Sequence, residues 1–301
     1  MKPLVSVITV TKDILKAGRK DYFIQCLQSV QDQDYPCVEH IILDGASTDG
    51  TLSFFDERGI SYISEPDTGI YNAYNKAIDA ANGEYILFLN SDDYFSSNQA
   101  ISLSMEAMLK NKADFSCAVA RVIGEKTAYY MYPRLRACFT GTPFSHQTML
   151  TSKKMLQALH GFDEQYKLYA DYDLMLRAFL QGYKVACISE CICFFRLGGI
   201  SSQQERKFLP EMITVIEKNC QLTRRQAVHA RRYGFLPKKK VLDLLAKTVN
   251  FPCPDALLAY NKNSFIKYCI KQIIRIKLKH DKKCIRVLGI TFWDSEKDIW
   301  K

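Results

Sequence analysis

Residues 84–93 read EYILFLNSDD, and the fold turns on how that stretch is taken. Six largely apolar residues are too few for a buried helix, and they suit a strand covered on both faces. The run stops at Asn90-Ser91-Asp92-Asp93, which places polar groups at the strand's carboxyl end. Working back toward the start, Leu4–Val10 (LVSVITV), Val38–Leu43 and Ile60–Ser64 read as three further strands. Helices lie between them. Asp21–Gln33 carries Tyr22, Phe23, Cys26, Leu27 and Val30 at the spacing of one helix face. The turn Asp44–Gly50 leads into a helix through Arg58, and Ile70–Ala81 is helical with Gly83 just past its end. Strand then helix, four times over, implies right-handed crossovers and a parallel α/β sheet with helices on its faces. Ligands of such sheets bind at the carboxyl ends of the strands. The clusters Asp44–Asp49, Glu65–Gly69 and Asn90–Asp93 all fall there.

Working forward, the alternation weakens. Asn98–Lys110 reads as a helix, and Ala113–Ile123 with Thr127–Tyr132 as a hairpin around Gly124. His146–Leu150 reads as a short strand, Ser152–Leu159 and Asp171–Gln181 as helices, and Lys184–Ile188 and Cys191–Phe195 as two closing strands. Beyond Ser202 the pattern is mostly helical. The 301 residues are 48% hydrophobic and 24% charged, which excludes a disordered, collagen-like or coiled-coil chain. The net charge of +9 is unevenly held: residues 1–202 sum to −4 and residues 203–301 to +13. Two segments with different electrostatic roles are expected, 1–202 and 203–301. The 11 cysteines show no metal-ligand spacing, and with no leader at Met1-Lys2-Pro3 a reducing cytoplasm is expected. No run of about 18 apolar residues exists, so a membrane span is not expected.

The strand ends lack both a GxGxxG fingerprint and a P-loop. Acidic side chains gather there instead, and they repel phosphate unless a divalent cation lies between. Asn90–Asp93 is thus either a Mg2+- or Mn2+-holding loop or a solvated turn. The segments LVSVITVTKD, CLQSVQDQDYPCVEHIILDGASTDGT, EPDTGIYNAYNKAIDAANGEYILFLNSDDYF, SHQTML, GFDEQYKLYADYDLMLRAFLQGYKV and RLGGISS resemble, in order and spacing, the family 2 nucleotide-sugar glycosyltransferases of GT-A fold. The subgroup they look most like assembles bacterial capsule, exopolysaccharide and lipopolysaccharide O-chains.

The resemblance implies a Rossmann-like, mostly parallel sheet over 1–202 with a basic, mainly helical extension over 203–301. It implies that Asp44 reads the nucleobase, against the alternative of an Asx turn. Thr9 and Asp13 would border the nucleotide; Asp67, Asn75 and Lys76 would line its pocket, although Lys76 also suits a solvated helix face. Asp92 occupies the final position of the fold's DxD motif and would meet the metal ion with Asp93. Asn90 replaces the first carboxylate. Asp171 matches the general base of an inverting transfer, with Ala170 where Glu is common, and a helix-dipole role is its alternative. Asp173 lies about 200° around the helix and cannot share the site. His146, Arg196 and Gly199 are candidates for the acceptor or diphosphate site.

Lys262–Arg286 interleaves Lys and Arg with Phe265, Ile266, Cys269, Ile270, Ile273 and Ile274 at helical spacing. That pattern suits an anionic inner membrane surface, or a helix packed on the catalytic body. No nucleic-acid reader motif appears. The expected activity is transfer of one sugar, non-processively, from a nucleotide-sugar, a UDP-sugar, to a glycan or polyprenyl-diphosphate-linked acceptor. A sugar-1-phosphate nucleotidyltransferase and a non-catalytic nucleotide-sugar binder are the alternatives.

Overall fold

The computed structural model describes residues 2–135, 138, 140–233, 284–287 and 290–294. Strand β1 (Val5–Thr11) is followed by α1 (Lys20–Gln31), β2 (Val38–Asp44), α2 (Thr51–Glu57), β3 (Ile63–Ser64), α3 (Ile70–Ala80) and β4 (Tyr85–Phe88). These strands are parallel in the order β3-β2-β1-β4. Strand β1 is central, with Val5 opposite Val38 on one side and Tyr85 on the other. The chain leaves β1 toward β2 and β3, then returns on its other side as β4. That reversal opens a crevice at the carboxyl ends of β1 and β4.

The rest of the sheet is mixed. In chain order come β5 (Tyr94–Phe95), α4 (Ala100–Asn111), β6 (Phe115–Ile123), β7 (Ala128–Met131), β8 (Thr151–Ser152), α5 (Lys153–Ala158), α6 (Ala170–Leu180), β9 (Val185–Arg196), α7 (Ile200–Asn219) and α8 (Arg224–Tyr233). The sheet continues from β4 as β8-β6-β9-β5, with β7 paired on β6. Strand β8 is antiparallel to both β4 and β6, so β6 and β9 again run in the sense of β1, β2 and β4. Their carboxyl ends therefore join the same edge.

Three local readings change. His146–Thr148 is a 3-10 turn rather than a strand, because Ser145 carbonyl accepts from both Thr148 N–H and Thr148 hydroxyl. The two strands expected over 184–195 are one, β9, whose register on β6 shifts between Cys117 and Ala120. The end of the Lys262–Arg286 stretch, expected to be helical, enters an antiparallel hairpin, β10 (Cys284–Val287) with β11 (Ile290–Asp294). Residues 284–286 are thus strand rather than helix, and the basic amphipathic stretch before them, residues 262–283, lies outside the described residues.

Apolar clusters cover both sheet faces. One joins Ile8, Tyr74, Phe88, Phe115, Phe179 and Val215. The other joins Val5, Val7, Cys26, Leu87, Ile101 and Met105. The expected boundary at Ser202 falls inside α7, whose Met212, Val215 and Ile216 share the first cluster with α6.

Candidate active site

The end of β2 is a turn built around one carboxylate. Asp44 is fully buried, and its oxygens accept from Thr11 Oγ1 at 2.8 Å, Ser47 N at 2.7 Å, Ser47 Oγ at 2.6 Å and Ser64 Oγ at 3.4 Å. Ser47 hydroxyl in turn accepts from Asp13 N–H at 2.7 Å, and Asp13 Oδ1 accepts from Thr48 N–H at 3.0 Å. The β1–α1 and β2–α2 loops are thereby tied together. Thr9 sits one step behind them, fully buried, with its hydroxyl 2.9 Å from His40 Nε2 and 3.8 Å from Cys26 Sγ. It supports the loop from inside rather than lining it. Asp67 Oδ1 accepts from Gly69 N–H at 3.0 Å, and its other oxygen lies against Gly45, where any Cβ would collide with it. Lys76 reaches back to Glu65 and to the Pro66 carbonyl, both at 2.8 Å. Asn75 faces elsewhere: its amide bonds Phe162 N–H and carbonyl and Glu164 carboxylate, pinning α3 to the turn before α6.

The end of β4 separates three residues that the sequence sets side by side. Asn90 accepts from Tyr74 hydroxyl. Asp92 Oδ2 is paired with Arg19 at 2.8 Å, and Arg19 also donates to Gly198 carbonyl at 3.2 Å. Asp93 turns inward, fully buried, accepting from Gln147 Nε2 at 2.9 Å and Arg196 N–H at 2.8 Å. Burial, then the neighbouring Asp92 charge, pushes its carboxyl up to about 7. Both Asp93 oxygens are thus engaged by protein donors, and the Asp92 carboxylate is the one paired with Arg19. Arg196 donates to the Asp92 carbonyl and lies between the rings of Tyr22 and Tyr94. Gly199 borders Asp92 Oδ2. Among the described residues no group of three or more His, Cys, Asp or Glu side chains is placed to hold a metal ion.

The start of α6 supplies the third part. Asp171 Oδ2 lies 3.2 Å from His146 Nδ1, while Oδ1 accepts from Tyr71 hydroxyl at 3.3 Å and Tyr172 N–H at 2.8 Å. His146 Nε2 is buried with no hydrogen-bond partner, so the ring's one polar neighbour among the described residues is the Asp171 carboxylate. Burial, reinforced by the Asp171 charge, holds the Tyr71 phenol well above its usual range, so it stays a donor. Tyr74 meets His146 edge-on at 6.3 Å and links this group to Asn90. Asp173 is spent in the interior on Arg177 at 2.7 Å and Asn219 at 2.7 Å, as the helix geometry requires. Arg19, Tyr71, Thr11 and Ser47 are site residues that the sequence reading did not select.

A topological switch in the sheet, a carboxylate loop after β4 and a carboxylate at a helix start together have a counterpart among known proteins. The family model described as "Glycosyl transferase family 2" matches residues 6–172.

The chain belongs to glycosyltransferase family 2.

This family 2 chain is 31% identical over 215 residues to an uncharacterized glycosyltransferase of Mycobacterium tuberculosis, covering 67% of this chain and 79% of that one. It is 37% identical over 121 residues to TuaG of Bacillus subtilis, named for teichuronic acid biosynthesis, covering 38% and 46%. Two solved structures share the GT-A fold. Staphylococcus aureus TarS 1–349 with UDP-GlcNAc has a TM-score of 0.63 at 16% identity, covering 96% of this chain and 95% of that one. The mannosyltransferase PcManGT of Pyrobaculum calidifontis with GDP-Man and Mn2+ has a TM-score of 0.55 at 18% identity, covering 92% and 81%. Like them, this family 2 glycosyltransferase has an α/β sheet flanked by helices.

Proposed function

We propose that this enzyme is a non-processive, inverting glycosyltransferase that moves one sugar from a UDP-sugar to a lipid-linked or growing cell-surface glycan. The observation that carries the reading is the Asp171–His146–Tyr71 group standing, through Tyr74, beside the Asn90–Asp92 loop. The naming of TuaG for a surface-polymer pathway supports the acceptor class. Among the described residues no helix is long and apolar enough to cross a membrane, and the sequence lacks the QxxRW motif of processive synthases.

Inverting transfer needs a base on the face opposite the leaving group. The acceptor oxygen bonds to the anomeric carbon as the bond from that carbon to the diphosphate oxygen breaks, and the acceptor proton passes to Asp171. Asp171 Oδ1 already accepts two protein donors, whereas Oδ2 has, among the described residues, only the His146 ring 3.2 Å away. The remaining lone pair of Oδ2 is therefore the proton's destination. Asp44 would receive a nucleobase N–H in place of Ser64, the longest of its four bonds.

The donor set fits a Mg2+ or Mn2+ ion shared with a diphosphate, which commonly keeps only one or two protein carboxylates. Asp92 is that carboxylate, since Asn90 and Asp93 are committed elsewhere. Such an ion would spread the charge of the departing diphosphate. Arg19, already on Asp92, sits where it can turn toward the same phosphates.

The test is a thermal-shift screen of nucleotide-sugars, with and without Mn2+, on the wild type, Asp92→Ala and Asp171→Asn. Binding the native state raises its melting temperature. The expected result is a UDP-sugar shift that Asp171→Asn keeps and Asp92→Ala weakens, with transfer falling by about 10²–10⁴-fold in Asp171→Asn. Wild-type activity in Asp171→Asn would remove the base assignment. A shift with nucleoside triphosphates and sugar 1-phosphates alone would favour a nucleotidyltransferase.

A further inference from the structure

An unbroken row of aromatic and guanidinium groups leads away from the Asp92 loop. Register places Tyr130 opposite Arg121, Arg121 opposite Phe194, and Phe194 opposite Tyr94, so the four share one face across β7, β6, β9 and β5. They touch in that order. Arg121 lies over Tyr130 at 5.5 Å and over Phe194 at 5.8 Å, and Phe194 stacks on Tyr94 at 4.7 Å. Arg196 continues the row over Tyr94 at 4.6 Å and Tyr22 at 4.4 Å, and its guanidinium donates to the Asp92 carbonyl. At the outer end Tyr130 and Tyr132 neighbour each other at 6.3 Å. Tyr22, Tyr130 and Tyr132 are 46%, 49% and 59% exposed, whereas a core row would be covered.

We propose that this row is the track along which an acidic acceptor glycan lies, with its reactive end at the Asp171 base. The proposal rests on the glycosyl-transfer reading above. Three pieces of chemistry support it. The row spans three strand spacings, about 14 Å, the reach of a short run of sugar rings. Aromatic faces offer apolar area to the C–H faces of pyranose rings, while phenols and guanidiniums donate to hydroxyls. Arg196 is held by the Asp92 carbonyl and Gln25 and Arg121 by its flanking rings, yet among the described residues neither forms a salt bridge with a carboxylate side chain, so the row carries two uncompensated positive charges that suit the uronate or phosphate groups of an acidic chain. The inner end of the row meets the same carboxyl edge as β4, because β6 and β9 run in its sense. A membrane surface is the competing occupant for exposed tyrosines, but an interfacial belt would not require a row that ends at Asp92.

The experiment uses the full chain and its Tyr130→Ala, Tyr132→Ala and Arg121→Ala variants, checked for unchanged melting temperature. Probes are hyaluronan oligosaccharides (uronate), glycerol-phosphate oligomers (phosphodiester), neutral dextran oligosaccharides, and vesicles of phosphatidylcholine with phosphatidylglycerol. The expected result is binding of one acidic probe over dextran, weakened about tenfold by each substitution, while UDP-sugar binding and donor hydrolysis stay as in the wild type. The preferred acidic probe separates uronate from phosphodiester recognition. No binding to either acidic probe, equal binding by the variants, or loss of vesicle binding alone would each overturn the track. Absent UDP-sugar binding with intact, row-dependent oligosaccharide binding would instead remove the transfer reading and leave the surface as a glycan site.

Discussion

His146 is the residue whose position most changes its meaning. Its Nδ1 lies 3.2 Å from one Asp171 oxygen while the Tyr71 hydroxyl and Tyr172 N–H donate to the other, so the carboxylate is flanked on both sides before any acceptor arrives. Partners that orient a reactive group commonly matter by one to two orders of magnitude. His146→Ala is expected to lower kcat about 10–100-fold with UDP-sugar affinity unchanged. His146→Asn, whose amide nitrogen can stand in for Nδ1, should recover much of it, and failure of that rescue would assign His146 a packing role. His40 carries a separate prediction. Burial pushes it from 6.5 down to about 4, so the folded chain stays unprotonated where the unfolded chain takes up a proton. Its contribution to stability is complete above about pH 6.5 and is lost as pH falls toward 4. Melting temperature against pH should fall less steeply over that window in His40→Gln, and equal slopes would place the acid sensitivity elsewhere.

Elements differ in how far their own residues specify them. Strands β1, β2 and β4 were legible because each is an apolar run ending in turn residues, and α1 and α3 because their apolar residues recur on one face. Strands β5 and β8 have two residues each and exist through their partners, which no local pattern encodes. The same division runs through the site. Carboxylates at strand ends announce themselves, whereas Arg19 reads as a loop arginine and Tyr71 as a core residue of α3 until the fold brings Asp92 and Asp171 to them. Asn75 shows the converse, since its motif suggests a nucleotide contact and its amide joins α3 to the segment before α6. Asn75→Ala removes three bonds and should cost about 1–3 kcal/mol of stability in denaturant unfolding. Nucleotide affinity should stay within about twofold once the variant is folded, and a large loss of affinity would return Asn75 to the pocket.

At the scale of the whole molecule, charge and chemistry are held apart. The carboxylates Asp44, Asp92 and Asp171 lie in the segment of net −4, and the +13 of residues 203–301 lies beyond them. If residues 262–286 address an anionic membrane surface, removing residues 262–301 should abolish most binding to phosphatidylglycerol vesicles at low salt and weaken the salt dependence. Undiminished binding would leave the basic stretch to packing or to a partner. Strand β9 has a consequence of another kind. Its Arg196 N–H holds Asp93 across 103 residues of sequence, and its Phe194 pairs with β5 just after the Asp92 loop. A ribosome thus delivers the Asp92–Asp93 loop well before the strand that fixes it. A nascent chain halted at residue 172, where the family match ends, would hold Asp44 and Asp171 with their partners but the Asp92–Asp93 loop without β9 to close it. The carboxylates are an early product of translation, and the closed Asp92 loop is a late one.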